Sequence, residues 1–123
     1  MIFKQEGVWI APPGVCHFTS QDISFLEYEA PKTSKRRARI CSHQEGDSVH
    51  QMLIAFCSDS RNEPHSHEKM ESLLILRGMM TVHFPNTNTM TILHAGDFLR
   101  IPPGIVHQPL PVTDCVILET AEK

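Results

Sequence analysis

No stretch of the chain stays apolar for anything near the roughly 20 residues that cross a bilayer, which argues against a helical membrane span. A surplus of one charge is missing as well. Eleven Lys and Arg stand against 14 Asp and Glu, a formal net charge of −3, whereas a protein that coats nucleic acid normally carries a basic excess. The basic run from Lys32 to Arg39 has no aromatics interleaved for stacking on bases, so no nucleic-acid partner is expected. No CxxC pair occurs. Cys16, Cys41, Cys57 and Cys115 are widely spaced, as expected of reduced thiols. The opening MIFKQEGVWIAPPG holds no sustained apolar core of the kind a secretory signal needs, and a cytoplasmic location is the expectation. Absent too is any clean helical stripe over 12 residues. With 123 residues the chain fits one domain, 1–123, long enough to bury roughly two-thirds of its unfolded surface without a staple.

What the chain does have is punctuation. Nine prolines and six glycines separate short apolar runs: Val8 to Ile10, Ile23 to Tyr28, Arg37 to Cys41, Val49 to Cys57, Leu73 to Leu76, Met79 to Phe84, Met90 to Leu93, Phe98 to Ile101 and Val112 to Thr120. Short, evenly spaced runs mark an antiparallel sandwich or barrel, so an all-β fold with little or no helix is expected. Asn86-Thr87-Asn88 reads as a hairpin tip. Residues 1–35 are the least patterned and read as N-terminal strands or an arm, with Glu29 to Lys35 a loose connection. Pro12-Pro13-Gly14-Val15-Cys16-His17 echoes Pro102-Pro103-Gly104-Ile105-Val106-His107; the plainer reading is one turn chemistry used twice, the other a duplicated histidine site. Met52, Met79, Met80 and Met90 read as core filler. Trp9 reads either as a core anchor or as a cap on the barrel mouth.

Eight histidines are the compositional oddity. On an extended segment, residues i and i+2 point to one face, so His65 and His67 present two imidazoles together. Glu71 follows four residues later, where a bend returns its carboxylate to them. Two imidazoles and a carboxylate suit Fe(II), Mn, Ni, Zn or Cu. Downstream, the turn at Pro102-Pro103-Gly104 redirects the chain and starts a new strand with His107 near its beginning. His83 reads as a surface or core histidine and His94 as a turn residue.

These pieces resemble the two cupin motifs. The first, H-x-H, three residues, E, six residues, G, is matched by His65, His67, Glu71 and Gly78. The second, G, five residues, P-x-G, two residues, H, is matched by Gly96, Pro102, Gly104 and His107. The glycine that usually opens the first motif falls at Asp59, and the asparagine that often ends the second falls at Pro111. The resemblance implies a small antiparallel jelly-roll β-barrel holding one divalent ion on His65, His67, Glu71 and His107. It leaves Fe, Mn, Ni, Zn and Cu open. A retained Glu71 disfavours the thiol dioxygenase branch, where that glutamate is usually replaced. Ser34 to Arg39, His43, His50 to Ile54 and Pro64-His65 are similar to single-domain cupins of the WbuC type, although the ending Glu119 to Lys123 is not.

Three histidines and a glutamate leave coordination positions open, as a catalytic site requires. Two functions follow. One is a metal-dependent enzyme on a small polar substrate: an isomerase, epimerase or lyase of a sugar, sugar acid or other carboxylate, or a dioxygenase. The other is a non-catalytic module that senses a ligand or a metal. Arg37, Arg39, Cys41 and His43 share strand parity. Inward-facing, Arg37, Arg39 and His43 would bind a carboxylate, phosphate or acidic sugar; outward-facing, they belong to a solvated basic run. His50 and Glu119 are candidates for a general base. Exposed sheet edges make a homodimer the expected assembly.

Overall fold

The computed structural model describes residues 1–123. Ten strands form two sheets: β1 (Ile2–Gln5), β2 (Val8–Ile10), β3 (Arg37–Cys41), β4 (Val49–Phe56), β5 (Glu71–Arg77), β6 (Met79–Phe84), β7 (Thr89–His94), β8 (Phe98–Ile101), β9 (Gln108–Pro111) and β10 (Cys115–Glu122). The larger sheet runs β1-β2-β3-β4-β10-β5-β8 and the smaller β7-β6-β9. Every pairing is antiparallel except β2 with β3. The two sheets are not hydrogen-bonded into a closed barrel. They face each other across a core of Ile54, Phe56, Leu73, Ile75, Met80, Val82, Leu93, Ile101, Cys115 and Ile117.

The apolar run at Ile23 to Tyr28, expected to be strand-like, is helical. Helix α1 spans Ser20–Glu29. Its start is fixed locally: the Thr19 side chain accepts from the Gln21 amide, and Asp22 accepts from the Thr19 amide at 2.7 Å, a capping box with Asp in place of Glu. Leu26 and Ala30 bury against Ala38, Ile40, Leu53, Ala55, Cys57 and Val116, on the larger sheet's outer face. The helix explains why β4 and β10 do not alternate. Leu53–Phe56 and Cys115–Ile117 are continuously buried because the sheet there has the second sheet on one face and a helix on the other. Glu29 to Lys35 is likewise no loose connection. A 3-10 turn, Ala30–Lys32, is followed by Thr33, whose hydroxyl donates to the carbonyls of Ala30 and Arg37.

Trp9 packs edge-on against Phe25 of α1, centroids 5.0 Å apart, so it anchors the helix side and caps no mouth. Met80 is wholly buried, but Met90 is 62% exposed and fills no core. The Asn86 to Asn88 tip joins β6 to β7, with Asn88 at φ +51°. Gly78 turns β5 into β6 at φ +79°, where an added Cβ would meet the Asp114 carbonyl at 2.2 Å; only glycine fits there.

Candidate metal centre

Two backbone devices bring the four residues together. His65 and His107 form an isolated antiparallel bridge, with amide-to-carbonyl bonds of 2.9 and 2.8 Å. The Gly104 amide donates to the His67 carbonyl at 2.8 Å. The extended His65–His67 segment is thereby clamped to the turn that precedes β9. Glu71 opens β5, paired with Ile101 on one side and Ala121 on the other. One ligand atom from each of His65, His67, Glu71 and His107 lies within 4.8 Å of the others. Glu71 and His107 are each 1% exposed.

Two of the imidazoles are tethered alike. His65 Nδ1 donates to the Glu63 carbonyl at 3.0 Å and His107 Nδ1 to the Ile105 carbonyl at 2.9 Å. Each bond reaches back two residues and leaves Nε2 to face the cluster, as outer partners of metal-binding histidines do. His107 Nε2 lies 2.8 Å from Glu71 Oε1. His67 Nε2 sits beside Glu71 Oε2, yet both atoms are buried without a hydrogen bond of acceptable angle. Two buried polar atoms in contact without a well-angled hydrogen bond between them suit a cation's coordination sphere. The donor set is three nitrogens and a carboxylate, with no cysteine, and it fits a divalent ion.

Electrostatics favour a charged Glu71. Burial opposes its ionisation, but hydrogen bonds from His107 and Glu119 and the charges of His67 and His107 outweigh it and hold its pKa below the usual value. Glu119, on β10, is pushed up to about 8 by burial and by the neighbouring Glu71 charge. Of this carboxyl pair, Glu71 is the more acidic and Glu119 the less. Burial alone would lower His107, but its bonds to Glu71 and to the Ile105 carbonyl raise it. His67 is lowered, chiefly by burial.

His65 and His67 open onto a cavity of about 1010 Å³ whose wall also carries Arg37, Arg39 and Glu119. His43 does not line it. Its ring stacks on His50, centroids 3.8 Å apart, and Nδ1 lies 3.2 Å from the Gln51 carbonyl, so strand parity fails once β3 ends at Cys41. His50 is held in that stack, away from the cavity wall, whereas Glu119 faces the cavity. His17 is exposed and without a partner histidine, leaving the proline-glycine echo as a shared turn. Asn62 was not foreseen: it is buried, accepts from Arg37 Nη1 at 2.8 Å through its side chain and from Gln108 through its carbonyl. A single Asn between strands gives no sequence signal for that. The two departures from the motifs have structural roles. Asp59 receives the Arg36 guanidinium at 3.1 Å, and Pro111 ends β9 opposite Met80.

Residues 18–94 match a family described as Domain of unknown function (DUF6016), a range that includes His65, His67 and Glu71. No curated protein matches the chain. Among solved structures, a conserved protein of unknown function from Streptococcus pyogenes superposes with a TM-score of 0.65 at 16% identity, covering 73% of this chain and 76% of the other. A cupin superfamily protein from Desulfitobacterium hafniense gives 0.62 at 19%, covering 70% and 76%. A cupin-2 domain containing protein from Shewanella frigidimarina gives 0.55 at 21%, covering 65% and 76%. At these identities the likeness is one of fold, and the fold is that of the small cupins. None of these carries the WbuC name. No helix is long and apolar enough to cross a membrane.

Proposed function

Since the chain belongs to the family described as Domain of unknown function (DUF6016), we propose its function from the site itself: the protein holds one divalent metal ion on His65, His67, Glu71 and His107 and binds a small polar molecule in the adjoining cavity, as an enzyme of the isomerase, epimerase, lyase or dioxygenase kind. The observation that carries this is the convergence of four donors within 4.8 Å, at the wall of a cavity large enough for a metabolite-sized ligand. When bound, the ion supplies Lewis acidity toward an oxygen of the ligand. The chain's own groups do the rest. The clamped backbone fixes the imidazoles, and Glu119 stands at the cavity wall, its carboxyl pushed up by burial and by Glu71. Glu119 is the group in place to exchange a proton with a ligand, whereas His50 is not.

The reading is tested by titrating chelator-treated protein with Mn(II), Fe(II), Ni(II), Cu(II) or Zn(II) while following its melting temperature. An ion that binds only the folded chain, present at a hundredfold over its Kd, stabilises by about 2.7 kcal/mol. A clear rise is expected for at least one ion, with none in His67→Ala. No rise for any of the five would refute the reading. We further propose a homodimer in the cytoplasm. The edge strands β1 and β8 expose Ile2, Phe3 and Phe98 at 62%, 62% and 63%, and unpaired apolar edges seek partners. Sedimentation at twice the chain mass is expected; a monomer at micromolar concentration would overturn the assembly.

A further inference from the structure

The larger sheet's inner face carries a pair of arginines without acidic partners. Register fixes their direction. Arg39 stands opposite Ile54, and Arg37 opposite Phe56; both apolar partners belong to the core between the sheets. Residues directly opposite share a face, so Arg37 and Arg39 point inward, and both line the cavity. The alternate residues, Ala38 and Ile40, bury under α1. The solvated-run reading of this segment therefore fails for these two arginines.

Neither guanidinium forms an ion pair. The Arg37 Nη1 donates to the Asn62 side chain at 2.8 Å and to the Arg61 carbonyl at 3.3 Å, both neutral. The Arg39 Nε is buried and has no hydrogen-bond partner. Arg37 is further penalised by burial and by the like charge of Arg39, with Glu119 offsetting part of this. Two adjacent, half-buried cations without a direct ion pair cost free energy in the absence of an anion, whereas other arginines of this chain do have carboxylate partners: Arg36 has Asp59 and Arg77 has Glu27.

The cavity has a second pole. His65 and His67 of the metal cluster line the same cavity as Arg37 and Arg39, so one molecule lying in it can meet both the guanidiniums and the histidines. The wall mixes apolar Met52, Ile54 and Phe56 with the hydrogen-bonding groups of Asn62 and Glu119, which a hydroxylated ligand can engage.

We propose that Arg37 and Arg39 form an oxyanion-binding subsite, and that the cavity's ligand is a small hydroxylated molecule carrying a carboxylate or phosphate, with that group held by the two guanidiniums. This deepens the proposed function and rests on the same cavity being the ligand site. The two arginines bind and orient; neither takes part in bond making.

The test uses metal-loaded, full-length protein and three probes: D-glucuronate, D-glucose 6-phosphate and D-glucose. Calorimetric titration is expected to show binding of at least one anion and none of the neutral sugar. The tighter of the two anions identifies the group as carboxylate or phosphate. Arg39→Met is expected to weaken the binding anion at least tenfold while keeping its metal content, because a lost charge-assisted fork is worth upwards of about 1.4 kcal/mol. Arg37→Met serves as an independent variant should Arg39→Met fold poorly, with the same expected loss. The subsite is overturned if neither anion binds, if glucose binds as well as the anions, or if the folded variants bind the anion as tightly as the unaltered protein. Metal content is read in the same samples. Intact metal without anion binding defeats the subsite alone, whereas absent metal defeats the reading of the metal centre.

Discussion

His107→Ala loses its metal: affinity falls at least about a hundredfold, since even outer partners of metal ligands are worth 10- to 100-fold. The size of the effect follows from where this imidazole sits. It is 1% exposed, its Nδ1 is spent on the Ile105 carbonyl, and its Nε2 stands 2.8 Å from Glu71 Oε1. Alanine removes one donor and also leaves the buried Glu71 carboxylate short of a partner, so the metal-free variant melts lower as well. A matched control separates ligation from general damage. His94, exposed at the end of β7, becomes alanine with no loss of metal. Titration followed by dialysis and elemental analysis reads both variants. A change of only a few-fold in His107→Ala would remove this residue from the ligand set.

The second large effect is on folding, and it falls on the opposite face of the sheet. Leu26→Ala is expected to cost about 2–5 kcal/mol. Leu26, on the sheet-facing side of α1, is fully buried among Ala38, Ile40, Leu53, Ala55 and Val116, small and branched neighbours on a rigid sheet that cannot collapse into the space left behind. Urea unfolding measures it, as a lower midpoint at an unchanged slope. Because the metal-binding residues lie on the other face, folded Leu26→Ala keeps its metal. A cost below about 1 kcal/mol would mean that the helix merely rests on the sheet.

That helix also marks where the sequence stopped being readable. Arg37–Cys41 and Phe98–Ile101 are strands with the bounds their apolar runs suggest, because each is short and ends at turn residues. Ser20–Glu29 offered no such cue. Its single fully buried residue, Leu26, leaves no stripe, and the apolar Ile23 and Phe25 beside it mimic a strand. The capping box was present but disguised, with Asp22 where Glu or Gln is usual. The smaller sheet's β9 hides in the same manner: Gln108–Pro111 contains two prolines that break the usual strand signature, and only the expectation of a strand beginning near His107 pointed to it.

The four donors were legible for a different reason. Their spacing encodes backbone geometry, since i and i+2 share a face on the clamped segment and the Pro102–Gly104 turn delivers His107 from far along the chain. The arginines were half legible. Alternation placed Arg37 and Arg39 on one face, but only pairing with Ile54 and Phe56 shows that this face is the inner one. His43 shared the parity and not the fate, because parity holds only while the strand lasts. Buried Asn62, and the burial that raises the Glu119 carboxyl, come from packing across loops and strands remote in sequence and have no local signature.

Elemental analysis of the unaltered protein, purified without chelator and again after loading and dialysis, bears on the whole account at once. Close to one divalent ion per chain, falling to traces in both His65→Ala and His107→Ala, is the predicted result. A chain that retains no ion after loading, or variants that retain as much as the parent, would contradict it.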